Sequence, residues 1–385
     1  IISLSVGLSV ALVMIAKIYF EQSYDTFYPD ADRIYRIYEN YSMNGKEEDY
    51  YQVSGAVAPA MRSEIPGVED ATRLTYIGGD NTLFTTPDKQ RYSARYIMMA
   101  DSNVFDIFPV PILSGNPKVV LAKPWYAMIS RSLAEKIREG NSLESVIGKT
   151  LSVDRKEPMS IRGVFEDMGE NADIHFDVVV PMSKLWNLAR GGWGYDISYM
   201  SIIRFRDPAK DIKAVEARIP DMLKKYMADS SNKKKSHRFS FRPLLEYHTA
   251  DPTVRLMILM MSVLGIAILL IAAFDYVLIA VSSLARRAKS IGVHKCCGAT
   301  DNSIFRMFLT ETALVLFISV LLTMLLIFQF REFVEEIAGI RLSSLFTWQT
   351  LWVPLTVLLV VFILAGAIPA SIFASIPVTQ VFRRY

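Results

Sequence analysis

The sharpest metal-like spacing in the sequence is Asp173-x-His175-x-Asp177, where three potential ligands alternate along one segment. In a strand, alternate side chains point to the same face, so these three groups would lie together. An edge strand with ordinary polar surface residues has the same spacing, and no fourth His or Cys lies close in the sequence. We therefore predict no metal site here.

Catalytic patterns are equally sparse. His237 and His248 stand in a polar stretch, but a catalytic triad is recognised by geometry and not by isolated histidines. The sequence has no G-x-x-x-x-G-K-[ST] phosphate-binding loop, so we expect any ATP hydrolysis to occur in a separate partner. The prediction is a non-catalytic chain without a cofactor of its own.

Composition indicates a membrane protein with apolar and polar parts segregated along the chain. The 385 residues are 51% hydrophobic, and the mean hydropathy of +0.26 is high for a soluble domain. The sequence has Lys+Arg 42 and Asp+Glu 39, so its charges nearly balance. Nucleic-acid binding requires a concentrated basic surface, and we therefore predict no nucleic-acid partner. Cys296 and Cys297 are adjacent, so no disulfide framework is expected.

Four apolar stretches are long enough to cross a bilayer, which needs about 20 apolar residues. They cover residues 1–20, 257–281, 304–330 and 351–373. A cleaved signal peptide is the alternative for the first stretch, but it has no basic leader and no clear cleavage site. Because the chain opens on Ile1 inside an apolar run, we expect the natural amino terminus to lie upstream.

Lys and Arg near the helix ends predict the orientation, since short cytoplasmic loops retain them. The connection between the second and third stretches is basic, and so is the carboxy terminus, with Arg383 and Arg384. Both are therefore placed in the cytoplasm. Residues 21–252 are placed outside, and their run at 233–235 is interpreted as a solvated loop.

The outer segment alternates short strands and helices, as in an α+β domain. Residues 160–165 alternate as a strand, and a second strand is predicted to stop before Pro181, which cannot donate to a ladder. Ser130 is a predicted N-cap. Asp211 is predicted to open an amphipathic helix.

In the fourth apolar stretch, small residues recur at helical spacing and predict close packing against another helix. They include Gly366, Ala367, Ala370, Ser371 and Ala374. Asp275, late in the second stretch, lies either at the cytoplasmic interface or towards the bundle interior, and its distance from residue 257 favours the interface.

Three groups of motifs resemble the MacB/FtsX-type permeases of ABC transporters, especially single-repeat forms common in Bacteroidetes. The first is YDTFYPDADRIYR at 24–36. The second is spread through the outer segment as FDIF at 105–108, LSGNP at 113–117, IGKT at 147–150, GVFED at 163–167 and HFD at 175–177. The most specific is RAKSIGVHKCCGA at 287–299, followed by FLTE at 308–311.

The resemblance implies that residues near 284–303 form a short cytoplasmic helix that docks on the ATPase subunit. The residues expected to couple the two subunits are Arg286, Arg287, Lys289, Ile291, Gly292, Val293, His294, Lys295, Gly298 and Ala299. Gly292 and Gly298 allow close approach or helix termination. Ser290 replaces a common acidic residue of the family, His294 a common Arg, and Asp275 a frequent Asn.

The resemblance further implies four membrane helices with a large α+β extracytoplasmic domain between the first and second. The predicted division is 1–20, 21–252 as a MacB-like periplasmic core, and 253–385 as an FtsX-like domain. We expect an inner-membrane permease that pairs as a homodimer or heterodimer, binds a cytoplasmic ABC ATPase, and contacts a periplasmic adaptor or substrate protein.

Such permeases transmit ATP-driven motion to the periplasmic domain, for export or extraction of antimicrobial, peptide or lipoprotein substrates. An FtsX-like regulator of cell-wall hydrolases is the alternative within the family. A transmembrane ligand sensor is a further alternative, but it predicts a cytoplasmic output domain that this sequence does not contain.

Overall fold

The computed structural model describes residues 1–43, 46–77, 82–85, 91–94, 96–138, 140–153, 158–184, 193, 199–227, 236–282 and 284–374. The chain divides into two compact units. One consists of Ile1–Ser23 with Asp251–Tyr385, and the other is Tyr24–Ala250. The basic run at 233–235 and the terminal Arg383 and Arg384 lie outside the described residues.

The helices are named in chain order. They are α1 Ile2–Gln22, α2 Val57–Glu64, α3 Val104–Ile107, α4 Pro117–Val120, α5 Arg131–Ile137, α6 Pro208–Met227, α7 Leu244–Ala250, α8 Pro252–Ser282, α9 Leu284–Cys296, α10 Asp301–Gln329, α11 Arg331–Ala338, α12 Leu342–Leu345, α13 Trp352–Phe362 and α14 Ile368–Ala374. A π-helical turn, Ile363–Ala367, joins α13 to α14.

The strands are likewise named in chain order. They are β1 Ile34–Met43, β2 Lys46–Tyr50, β3 Val68–Tyr76, β4 Thr82–Thr85, β5 Arg91–Ala94, β6 Ile97–Ala100, β7 Ile112–Ser114, β8 Tyr126–Ser130, β9 Thr150–Val153, β10 Pro158–Phe165, β11 Val178–Pro181, β12 Met200–Phe205 and β13 Ser236–Pro243.

The four predicted membrane helices are confirmed by length and composition as α1, α8, α10 and the segment Trp352–Ser371. The second helix begins at Pro252, earlier than predicted. The reason is local: the Asp251 carboxylate accepts a hydrogen bond from the Thr253 N–H at 2.7 Å and caps the first turn.

The fourth membrane helix is not a uniform α-helix. Pro369 has no N–H to donate to the carbonyl four residues earlier. The chain widens into the π turn immediately before it, and the Ile368 N–H donates to Ile363 O. A π turn of this kind is a local insertion that is frequently found at functional sites.

Close packing of α1 on α8 organises the membrane unit. A Cβ atom at Gly7 would lie 2.6 Å from the Ala272 Cβ, so only glycine permits this approach. Leu4 and Leu8 of α1 share an apolar cluster with Ala272, Val361 and Ala365. The first helix therefore packs on both α8 and the fourth membrane helix, although a long segment separates it from them in sequence.

The unit Tyr24–Ala250 is built on a thirteen-stranded mixed sheet. Its main order is β13-β1-β12-β3-β6-β11-β8-β10-β9-β4-β5, with β2 beside β1 and β7 beside β10. Most neighbours are antiparallel, but β11 pairs with β6 and β10 pairs with β8 in parallel. Three apolar clusters form its core, one containing Phe108, one Ile203 and one Ile129. The predicted α+β class is confirmed.

Three local predictions for this unit have mixed outcomes. The Ser130 N-cap is confirmed, since its Oγ accepts from the Leu133 N–H. The strand limit was wrong: β11 includes Pro181 opposite Ala100, because a terminal residue can join a ladder without donating. The start of α6 was also wrong, because Pro208 occupies the first turn, where a missing N–H costs nothing.

Candidate coupling segment between the second and third membrane helices

The predicted coupling segment is largely helical. The backbone of α9 covers Leu284–Cys296 and lies between α8 and α10. The side chains of Arg286, Arg287 and Lys289 lie outside the described part of the structure. The face that α9 presents is therefore defined by residues 290–297.

The carboxyl end of α9 has the hydrogen bonds of a Schellman motif. Gly298 adopts φ +95, a left-handed conformation that favours glycine. The Ala299 N–H donates to His294 O at 2.9 Å, and the Gly298 N–H donates to Lys295 O at 3.0 Å. Thr300 then caps α10 by accepting from the Ser303 N–H at 3.3 Å. The connection from α9 to α10 is thus short, and hydrogen bonds hold its turn.

One side of α9 is fixed to the membrane helices. Ile291 is 2% exposed and belongs to a cluster with Ile304, Phe308, Ala370 and Ala374. These residues come from α10 and α14, so one side chain of α9 packs against both.

Lys295 adds a polar attachment on the same side. Its ammonium donates to Ala374 O at 2.8 Å and lies 2.7 Å from Asp301 Oδ1. The side chain is 8% exposed, so this ion pair is shielded on the lysine side. Cations near the last carbonyls of a helix also interact favourably with its dipole. Lys295 therefore joins the end of the fourth membrane helix to the start of the third.

The opposite side of α9 is open. Ser290, Val293, His294 and Cys297 recur at the spacing of one helical face. All four are exposed, and Val293 exposes 56% of its surface. A mixed apolar and polar helix face of this kind suits insertion into a groove of another protein. We call these four residues the open face of α9.

The predicted coupling residues thus fall into two groups. Ile291 and Lys295 hold α9 in place, Gly292 is buried, and Gly298 with Ala299 forms the turn. Val293 and His294 belong to the open face. Ser290 and Cys297 were absent from the predicted set, although their spacing from Val293 and His294 contained the signal. The coupling role itself stays a prediction.

The small residues of the fourth membrane helix face α10. A Cβ atom at Gly366 would lie 2.9 Å from Thr312 Cγ2, so the two helices approach closely there. Ala370 and Ala374 lie one and two turns further along and are 1% and 6% exposed. Ala367 is half-buried and Ser371 is exposed, so these two stand at the edge of the contact.

Polar side chains within the membrane helices were not predicted as part of this site. The Tyr276 hydroxyl and Thr312 Oγ1 are 3.0 Å apart, and Ser3 Oγ donates to Asp275 Oδ2 at 2.9 Å. Thr312, Glu311 and Gly366 line a cavity of about 230 Å³. Polar residues in otherwise apolar spans were the signal available in the sequence. Asp275 is exposed, and the hydrogen bond that it accepts from Ser3 connects it to the first helix.

The Asp173-x-His175-x-Asp177 pattern does not assemble a ligand set. Asp173 Oδ1 lies 3.4 Å from His248 Nδ1, whereas His175 Nε2 lies 3.8 Å from Asp177 Oδ1. Within the described ranges, no three His, Cys, Asp or Glu side chains are grouped as metal ligands would be.

Comparison with known proteins is decisive for the membrane unit. Residues 262–378 match the FtsX-like permease C-terminal family, and this range contains all of α9 and α10. Residues 262–378 therefore belong to the FtsX-like permease C-terminal family. The resemblance of the 287–299 and 308–311 motifs to that family is thereby confirmed.

Two solved structures are similar to parts of the permease. A domain assigned to a permease protein from Porphyromonas gingivalis has 29% identity and a TM-score of 0.50, covering 56% of this chain and 91% of its own. The periplasmic region of MacB from Actinobacillus actinomycetemcomitans has 14% identity and a TM-score of 0.39, covering 56% and 90%. None of the curated proteins compared with the permease matches it.

The family match agrees with the membrane helices of the structure. Four helices are long and apolar enough to cross a membrane, the sheet domain lies between the first and second of them in sequence, and the match to FtsX-like permeases covers most of the last three.

Proposed function

We propose that this permease converts ATP-driven closure of a separate cytoplasmic ATPase into movement of its extracytoplasmic domain. The observation that carries the proposal is the arrangement of α9. Its open face is free of described membrane-helix packing, while Ile291 on its other side is buried between α10 and α14. A segment that is exposed on one side and attached on the other can transfer force between two bodies.

The path of the motion follows from these attachments. Displacement of α9 reaches α10 through the short turn at Gly298 and Thr300. It reaches the fourth membrane helix through Lys295 and Ala374. Packed helices move as rigid elements that slide against one another. The proposed cycle therefore needs no passage of substrate through the membrane unit.

The assembly that fits this mechanism contains two permease copies, as a homodimer or heterodimer, and two ATPase subunits in the inner membrane. The ATPase binds the nucleotide, so the permease itself is proposed to need neither a cofactor nor a catalytic site. Its cargo is proposed to be an antimicrobial compound, a peptide or a lipoprotein, handled with a periplasmic adaptor or a substrate protein. These assignments rest on the family and on the absence of a phosphate-binding loop in the sequence.

The test substitutes the open face. His294→Glu and Val293→Glu place a charge where the ATPase is proposed to bind, and both side chains are exposed, so the fold is retained. Permease reconstituted with its ATPase in nanodiscs is expected to lose at least about tenfold in stimulated ATPase rate, which corresponds to about 1.4 kcal/mol of coupling.

Lys213→Glu is the matched control, because Lys213 is an exposed position on α6 in the sheet domain. It makes the charge more negative by two units, a larger change than either open-face substitution, at a site away from α9. Stimulation that survives both open-face substitutions would contradict the proposal, provided that the purified permease and ATPase still form a complex.

A further inference from the structure

Helix α11 exposes a continuous apolar face just beyond the third membrane helix. Phe330, Phe333 and Ile337 follow one another at helical spacing and are 56%, 60% and 72% exposed. Within this eight-residue helix, no side chain is buried. Large apolar side chains grouped on one face of a helix usually mark a surface that contacts something other than water.

The other face of α11 is acidic. Glu332 and Glu336 are exposed, and Glu335 forms an ion pair with Arg331 at 3.4 Å. Glu335 also accepts a hydrogen bond from the Leu342 N–H at 2.9 Å. The charged and apolar residues therefore occupy opposite sides of α11, the pattern of a helix that lies in a membrane–water interface.

The depth of this region is set by its packing on α1. After α11 the chain turns at Gly339 into α12, where Leu345 is 1% exposed. Leu345 lines an apolar depression with Leu12, Ala16 and Tyr19 of α1. Ala16 is about 9 Å below Gln22, the last residue of that helix, at the usual rise per residue. Helix α12, which follows α11 directly, thus lies at the level of the apolar span of α1.

Aromatic residues mark the same level. The Trp352 ring meets the Tyr19 ring edge-on, with centroids 5.7 Å apart. Trp348 is 88% exposed and lies in the same connection. Trp and Tyr concentrate at the boundary between the hydrocarbon and the headgroups. This belt lies at the end of α1 and the start of the fourth membrane helix, which are the ends assigned to the outer leaflet.

The apolar surface of α11 also continues the outward surface of α10. Met324, Leu325 and Phe328 near the end of α10 are 62%, 62% and 73% exposed, as expected for side chains that face lipid. Only one polar residue, Gln329, separates Phe328 from Phe330 in the sequence. A surface that faces acyl chains on α10 thus extends directly onto α11.

We propose that α11 lies in the outer lipid–water interface of the bilayer, with Phe330, Phe333 and Ile337 in the acyl boundary and the glutamates in water. Its occupant is the phospholipid surface itself, bound through apolar contact and not through charge, because the polar face is acidic. The contact anchors the outer end of the third membrane helix, so that α10 tilts or slides against a fixed point in the bilayer.

The experiment uses the full permease with Cys296→Ser and Cys297→Ser in phosphatidylcholine nanodiscs, without the ATPase. Phe333→Cys and Ile337→Cys carry an environment-sensitive nitrobenzoxadiazole label, and Glu332→Cys and Glu336→Cys are the matched controls on the acidic face. All four positions are exposed, so labelling leaves the packing intact. Spin-labelled lipid and aqueous iodide are the two quenchers.

Labels at 333 and 337 are expected to be quenched by lipid spin labels at least about threefold more than labels at 332 and 336, with the reverse order for iodide. Equal iodide quenching at all four positions would place α11 in water and overturn the proposal. Protection of 333 and 337 from both quenchers would also overturn it, because a second protein copy would then cover the face. Either outcome leaves the ATPase-coupling proposal standing.

Discussion

Asp25 is a carboxyl group in an environment that disfavours its charged form. It is 1% exposed and adopts φ +59, and its carboxylate accepts a hydrogen bond from the Asp173 N–H at 3.2 Å. Burial raises the pKa of Asp25 to about 7, and the Asp173 carboxylate acts in the same direction, against the Asp173 N–H and His248. The folded domain therefore favours the neutral form of this carboxyl group.

The difference in the pKa of Asp25 between the folded and unfolded chain makes the free energy of unfolding depend on pH. In the unfolded chain Asp25 loses its proton near pH 4, whereas in the folded chain it keeps the proton until about pH 7. The free energy of unfolding from this group therefore falls as the pH rises from about 4 to about 7, by up to about 4 kcal/mol, and is constant above that range.

Asp25→Asn is expected to remove most of this dependence and to stabilise the sheet domain at neutral pH, because Asn is neutral and tolerates positive φ. The measurement is pulse proteolysis of the full chain in detergent across denaturant at pH 5 and pH 8. Asp221→Asn is the control, since Asp221 is 82% exposed. If Asp25→Asn and the control show the same difference between the two pH values, the buried carboxyl is not the source.

At the scale of elements, the fourth membrane helix contacts α10 and α8 near its π turn. The π turn carries Gly366 against Thr312, and Thr312 in turn bonds to Tyr276 of α8. Three membrane helices thus meet at Thr312, through one hydrogen bond and one close approach at a glycine. Because Pro369 cannot donate to the carbonyl four residues earlier, the regular hydrogen bonding of the fourth helix is interrupted here.

Gly366→Leu is expected to separate the fourth helix from α10 and to lower stability by about 1–3 kcal/mol, the usual range for overpacking. The midpoint of unfolding of the detergent-solubilised permease measures this. Ile363→Leu provides the comparison, because Ile363 is 46% exposed and its substitution preserves volume. A midpoint for Gly366→Leu that equals the comparison would show that the close approach contributes nothing to stability.

The arrangement of the whole molecule is testable with its two native cysteines. Cys296 and Cys297 are exposed at the end of α9, and the orientation predicted from basic loops places them in the cytoplasm. A membrane-impermeant maleimide is expected to label them in inside-out vesicles and not in intact spheroplasts.

The complementary variant is Lys213→Cys with both native cysteines replaced by serine. Lys213 lies on α6 of the sheet domain, so it is expected to react from outside in spheroplasts. Labelling of both sites from the same side would contradict the assigned topology.

The membrane helices and the α+β class of the outer domain could be predicted from the sequence. Apolar stretches such as 304–330 report their environment directly, because a bilayer core of about 30 Å requires that length. The end of β11 at Pro181 could not be predicted, since its pairing with Ala100 depends on a strand remote in sequence.

The sequence by itself determined which segments cross the membrane and that residues 287–299 form a specific segment between two of them, because both properties are local. Only the tertiary structure decided which side of α9 is open, since Ile291 is buried by α10 and α14, far along the chain. The same holds for Asp25, whose carboxyl group acquires a raised pKa only when folding buries it. Burial is a property of the packed chain, and spacing alone does not specify what packs against a residue.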